Sequence, residues 1–89
     1  MKKSIKHSMR MIEHARENKK LTQKQLSEHL GVTFQQYSSI KVGKVNLPEK
    51  HISKICKTLD LPVESLLYEL AKDYLDELRE KHLETTPNN

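Results

Sequence analysis

The side chains with chemistry to offer are mostly uncharged hydrogen bonders, and they gather between Thr22 and Ser39. Within that stretch the pattern apolar-Thr-x-x-Gln-apolar occurs twice, as Leu21 to Leu26 and, eleven residues later, as Val32 to Tyr37. Each Thr hydroxyl can accept from the backbone N–H three residues on. Each Gln can reach back to the Thr N–H, and the flanking apolar pair can close as a hydrophobic staple. Thr22 and Thr33 therefore each begin a helix. Free N–H donors and a partial positive charge at such starts suit a phosphate oxygen, with Gln23 adding a side-chain donor. Side chains turn by ~100° per residue, so with Tyr37 and Ile40 inward, Gln35, Ser38, Ser39 and Val42 share the outer face. Gln suits bidentate pairing with adenine N6 and N7, serine hydroxyls donate or accept, and no carboxylate there repels phosphate. Phe34, on the flank, can meet a thymine methyl or pack on a neighbouring helix. Lys44 and Asn46, just beyond, are placed to hold a nucleic-acid strand.

These residues need rigid supports. The first helix runs from about Gln23 to Leu30, and Gly31 follows where a left-handed residue ends a helix. A second helix, about Phe34 to Val42, stops at Gly43. A short helix, a tight turn and a short helix over about 22–42 form the helix-turn-helix layout, whose second helix can lie in a DNA major groove. Three further helices follow from periodicity. Ile5, Met9, Ile12 and Ala15 align near Ile5 to Asn18. Ile52, Ile55, Cys56 and Leu59 align over about Pro48 to Leu59. Val63, Leu66, Leu67 and Leu70 close the core at the start of a helix from near Pro62 to about Leu83. Pro48 and Pro62 suit first-turn positions. No strand-like alternation, repeat or flexible linker is evident.

The 89 residues make one small domain with a modest core. The net charge of +4 conceals a division. Residues 1–59 hold 13 Lys/Arg and 4 Asp/Glu (+9), whereas residues 60–89 hold 3 and 8 (−5). The basic part contains the paired helices, and its sign attracts phosphate. Carboxylates on the last helix read as its solvated face, with Glu77 and Lys81 one favourable pair. His7, His14, His29, His51 and His82 are dispersed without metal-ligand spacing, so no metal and no cofactor is expected. Cys56, the single cysteine, reads as a buried inert thiol. No glycine-rich phosphate loop or catalytic set is present, so neither an enzyme nor a small-molecule substrate is expected. Nothing reads as a signal peptide, and no apolar run approaches the ~20 residues of a membrane span. A cytoplasmic setting without membrane partners is the expectation.

The stretches TQKQLSEHLGVTFQQYSSI, GKVNLP and ISKICKTLDLPVESLL resemble the lambda-repressor-like, Cro-type (XRE) helix-turn-helix regulators. The ordered run Gln23, Leu26, Gly31, Val32, Ile40 and Gly43 carries the match. The resemblance implies an all-α, five-helix domain over residues 1–70. It also implies that Thr33, Phe34, Gln35, Ser38 and Ser39 face the major groove of double-stranded DNA, with Gln23 and Lys44 near the backbone. Thr22, Lys41 and Asn46 complete the expected phosphate contacts. Three positions depart from the family pattern. Lys41 stands where a glutamate is frequent, opposite Arg16, so either Glu13 or Glu17 compensates, or the local geometry differs, or Lys41 points to phosphate. Ser27 replaces a small alanine, and Tyr37 an aliphatic residue.

Beyond the core, residues 71–84 form a C-terminal helical extension, and 85–89 read as a frayed tail. Leu70, Tyr74, Leu75 and Leu78 run along this extended helix and need cover. Each buried aliphatic side chain contributes roughly 1.5–3 kcal/mol, so either the segment folds back on its own domain or a few such residues hold a homodimer. In a dimer two recognition helices ~34 Å apart read successive major grooves on one DNA face, and the family resemblance implies a near-palindromic operator. The expected function is a sequence-specific DNA-binding transcriptional regulator, acting as a repressor. The alternative is an antitoxin-like or adaptor module that holds a protein partner.

Overall fold

A computed structural model describes residues 5–85, with side chains described to residue 81. Its helices are α1 (His7–Asn18), α2 (Gln23–Leu30), α3 (Phe34–Lys41), α4 (Ile52–Leu59) and α5 (Val63–Thr85), with a 3-10 turn at Glu49–His51 before α4. No strand occurs among the described residues. The expected tail at 85–89 begins within α5 at Thr85, and the rest of it lies outside the described residues.

Both threonine boxes form. Thr22 Oγ1 accepts from the Gln25 N–H at 3.0 Å while Gln25 Oε1 accepts from the Thr22 N–H at 2.8 Å. Thr33 and Gln36 repeat the arrangement at 3.0 and 2.8 Å. Two of the four orphan donors at each helix start are thus turned inward, and the rest stay available.

Helices α1 to α4 also end alike. At each exit one residue takes a left-handed φ, namely Lys20 (59°), Gly31 (76°), Gly43 (88°) and Asp60 (61°). The next N–H then bonds five residues back: Leu21 to the Arg16 carbonyl, Val32 to Ser27, Lys44 to Ser39 and Leu61 to Cys56, at 2.9–3.1 Å. This closure satisfies carbonyls that a helix end otherwise leaves open. Leu21, Val32 and Leu61 then tuck against the core, as such closures favour. Lys44 stays exposed.

Eleven buried residues form the core: Met9, Ile12, Ala15, Leu26, Leu30, Tyr37, Ile40, Ile55, Cys56, Leu59 and Leu66. Ser27 is buried too, with its hydroxyl donating to the Lys24 carbonyl at 2.7 Å, so the departure from alanine leaves nothing unsatisfied. Three expectations need correction. Val63 and Leu67 are exposed rather than core, because α5 turns only Leu66, Leu70 and Asp73 firmly toward its neighbours. Pro48 precedes the 3-10 turn rather than opening an α-helix, so the span expected from Pro48 divides, and α4 begins at Ile52. The carboxylates of α5 are not all solvated, since Asp73 is only 9% exposed.

Asp73 explains how α5 lies along α1, its main neighbour. Lys6, at the N-cap position of α1, has no side chain able to accept. Asp73 supplies that acceptor from the far end of the chain, taking the His7 N–H at 2.7 Å, the Ser8 N–H at 3.2 Å and the Ser8 hydroxyl at 2.5 Å. A carboxylate facing a helix N-terminus is doubly favoured, by the orphan donors and by their partial charge. His7 Nε2 to Asp76 (2.9 Å) and Lys6 Nζ to Glu77 (3.8 Å) extend the seam on its wet side. Glu77 thus also reaches across to α1.

Candidate nucleic-acid interface

Helix α3 shows its polar edge outward. Thr33 and Gln35 are exposed, and Ser38 and Ser39 are half-buried. None of Gln35, Ser38 and Ser39 has its side chain engaged by another described residue. Gln36, by contrast, is occupied in the Thr33 box. Phe34 is 48% exposed, so its ring is not a core group. Val42 follows on the same edge as Gln35, and it is also exposed.

The expected phosphate holders divide into two sets. Lys44 is exposed and Lys41 half-buried, and neither forms an ion pair with a described residue. Asn46 Oδ1 accepts from Lys6 Nζ at 3.1 Å, which leaves its amide N–H groups pointing elsewhere. Thr22 caps α2. Gln23 is tied more tightly, since its Nε2 donates to Glu13 Oε1 at 2.9 Å.

Glu13 answers the question posed by Lys41. Its carboxylate pairs with Arg16, accepting from Nη2 at 2.8 Å and from Nε at 3.2 Å, while Glu17 lies farther off at 3.6 Å. Arg16 Nη1 continues to the Leu21 carbonyl at 2.5 Å. The Tyr37 hydroxyl donates to Glu13 Oε2. Glu13 thus compensates for the missing glutamate, with Glu17 as a distant second. Lys41 need not approach Arg16, and no two cations are forced together. Burial raises the Glu13 carboxyl, but hydrogen bonds from Arg16, Tyr37 and Gln23 outweigh it and hold the group below its ordinary 4.5. Burial pushes the Tyr37 phenol well above its ordinary range, and donation to Glu13 adds to the rise. Arg16 is raised chiefly by its hydrogen bond to Glu13. This set was only partly legible. The Tyr37 position signals it, because an inward phenol demands an acceptor.

Along α5, Tyr74 (63% exposed), Leu75 and Leu78 stand out from the domain, whereas Leu70 is partly buried against its own core. Val63, Leu67 and Tyr68 add to the exposed apolar surface of the same helix. Cys56 is buried, which pushes its thiol up. No group of three or more His, Cys, Asp or Glu among the described residues could hold a metal ion. No described helix is long and apolar enough to cross a membrane.

A family model described as Helix-turn-helix matches residues 12–66, from the middle of α1 to the buried start of α5. The chain belongs to the XRE-type helix-turn-helix family of DNA-binding transcriptional regulators. Two crystal structures of the clp gene regulator ClgR from Corynebacterium glutamicum share the fold. One has a TM-score of 0.62 at 21% identity, covering 75% of this chain and 87% of that one. The other has a TM-score of 0.65 at 19% identity, covering 88% and 83%. No curated protein matches the chain. In this helix-turn-helix protein α2 braces α3, and the five-helix, all-α architecture with a long last helix agrees with the neighbours.

Proposed function

We propose that this protein represses transcription by occupying a near-palindromic operator as a homodimer, with α3 in the major groove. The observation that carries the reading is the outer edge of α3. Gln35, Ser38 and Ser39 are unengaged, no acidic side chain interrupts them on the helix, and Lys41 and Lys44 follow at its exit. Thr33 and Phe34 lie at the start of that edge and complete the base-reading set. Thr22, Gln23, Lys41, Lys44 and Asn46 hold the backbone. That the similar structures are clp gene regulators fits a gene-regulatory role. A protein that reads promoter DNA works beside it, in the cytoplasm.

Tyr74, Leu75 and Leu78, with Leu67 and the outer edge of Leu70, are the proposed dimer seam. Their exposure is unfavourable in an isolated protomer, and a second copy relieves it.

Selecting bound duplexes from a random pool tests the whole reading, and a recovered inverted repeat supports both the operator and the stoichiometry. If Gln35 reads adenine, Gln35→Ala costs ~1–3 kcal/mol at the selected site and little on random duplex. Equal loss on both removes Gln35 from base reading. Lys44→Ala weakens every duplex and reduces the salt slope by about one. An unchanged slope takes Lys44 out of the interface.

A second reading is an antitoxin-like or adaptor module. The exposed Phe34 ring and the apolar α5 surface favour it, since both also suit a protein partner. Failure to bind random duplex even at low salt decides for that reading.

A further inference from the structure

Glu13 is half-buried and is not among the proposed DNA contacts, yet it is bonded to Gln23, which is. Its two carboxylate oxygens hold four donors: Oε1 takes Arg16 Nη2 at 2.8 Å and Gln23 Nε2 at 2.9 Å, while Oε2 takes Arg16 Nε at 3.2 Å and the Tyr37 hydroxyl. A carboxylate has about four lone-pair sites, so the acceptor is saturated. Three elements meet there. Glu13 and Arg16 belong to α1, Gln23 is the first residue of α2, and Tyr37 is buried within α3. Arg16 extends the link to the α1–α2 turn through the Leu21 carbonyl.

A glutamine amide nitrogen carries two hydrogens, and Glu13 takes one. That bond restricts the amide's rotation, and it leaves the second N–H without a described partner at the N-terminus of α2. There the backbone N–H groups of Gln23 and Lys24 also lack intrahelical acceptors. An anion at that helix end receives backbone and side-chain donors together. Without Glu13, the Gln23 side chain must be ordered each time DNA binds, at a cost in rotamer entropy. Tyr37 couples the same anchor to α3, so the start of α2 and the reading edge keep one relative placement.

We propose that Glu13 is a positioning residue for DNA binding, one that orients the Gln23 amide toward a backbone phosphate and ties it in register with α3 through Tyr37. This rests on the DNA-binding reading above and adds to it a residue outside the interface.

The experiment measures binding of the full chain to a fluorescent random duplex at fixed salt, for wild type, Glu13→Gln, Gln23→Ala and the double variant. Removing a carboxylate makes the protein more positive, so charge alone predicts tighter binding for Glu13→Gln. Positioning predicts the opposite, a loss of about fivefold to tenfold, comparable to that of Gln23→Ala. In the Gln23→Ala background the Glu13→Gln loss shrinks to less than about twofold, because there is no amide left to orient. Equal losses in both backgrounds, or tighter binding, overturn the proposal. If Glu13→Gln does not fold, the wild-type Gln23 side-chain amide gives the answer by hydrogen exchange. One Nε2 proton should exchange more slowly than the other in the free protein, and added duplex should slow only the faster one. Equal rates in the free protein, or rates unchanged by duplex, overturn it as well. Absence of any duplex binding by wild type would instead sink the DNA-binding reading itself.

Discussion

Glu13, on α1, and Asp73, packed against the start of α1, are both carboxylates held by hydrogen bonds, but they are neutralised in different ways. Glu13 faces a guanidinium and two neutral side-chain donors. Asp73 has no cation among its bonds and relies on two backbone N–H groups and the Ser8 hydroxyl at the start of α1. The first ties α1 to the helix-turn-helix pair, and the second ties it to the long last helix. Helix α1 is therefore a two-ended bracket. Its beginning belongs mechanically to α5, its later turns to the helix-turn-helix pair, and each attachment can be broken separately.

The largest effect is expected at the α5 end. Asp73→Ala leaves two N–H groups and a hydroxyl without their acceptor in a nearly dry site, which should cost about 2–4 kcal/mol in thermal or denaturant unfolding. A cost below about 0.5 kcal/mol would mean that water replaces the carboxylate and the bracket has only one working end.

Tyr37→Phe probes the other end, with an expected loss of about 1–2 kcal/mol. It also separates two pH windows. Glu13 has its carboxyl depressed in the folded state, so its contribution is complete above the ordinary 4.5 and fades as pH falls through that value toward the lower folded one. Tyr37 has its phenol raised, so its contribution is complete below the ordinary 10.0 and fades as pH rises beyond it. Unfolding free energies followed across pH should show the alkaline decline lessened in Tyr37→Phe and the acid decline reduced but kept, because Arg16 and Gln23 still hold the Glu13 carboxyl down. An acid decline identical to that of the wild type would separate Tyr37 from Glu13.

Thr22→Ala and Thr33→Ala should each cost about 1 kcal/mol, since their boxes match to the first decimal place in length. A clear inequality in urea midpoints would show that one box is backed by packing the other lacks. The smallest effect runs the other way. Lys20 holds φ at 59° with a side chain that disfavours it, so Lys20→Gly should stabilise by about 0.5–1 kcal/mol. Asp60→Gly should gain less, because Asp tolerates that conformation better than Lys.

What was legible in the sequence follows from the range of the interactions. The boxes at Thr22 and Thr33 close within three residues, so spacing alone announced α2 and α3, and Gly31 and Gly43 marked their stops. Lys20 and Asp60 make the same turn as the glycines without a side chain that advertises it. Asp73 looked like one more surface carboxylate because its partners, His7 and Ser8, lie 66 and 65 residues away. Val63 and Leu67 carry core-like character on the wrong side of α5, and periodicity alone did not fix that helix's rotation about its axis. At the candidate interface, the outward edge of α3 was readable from the inward Tyr37 and Ile40. The capture of Gln23 by Glu13 was not, since it requires knowing how α1 crosses the start of α2.

The four matching helix exits have one further implication. Three deliver an apolar residue that moors the connection to the interior, at Leu21, Val32 and Leu61. The exit from α3 puts Lys44 at the same backbone turn, so the chain leaves that helix carrying an exposed ammonium. Placing leucine at that one position would offer a fourth mooring in exchange for the exposed ammonium. The fold would gain a contact while the surface lost the cation proposed to lie against the DNA backbone.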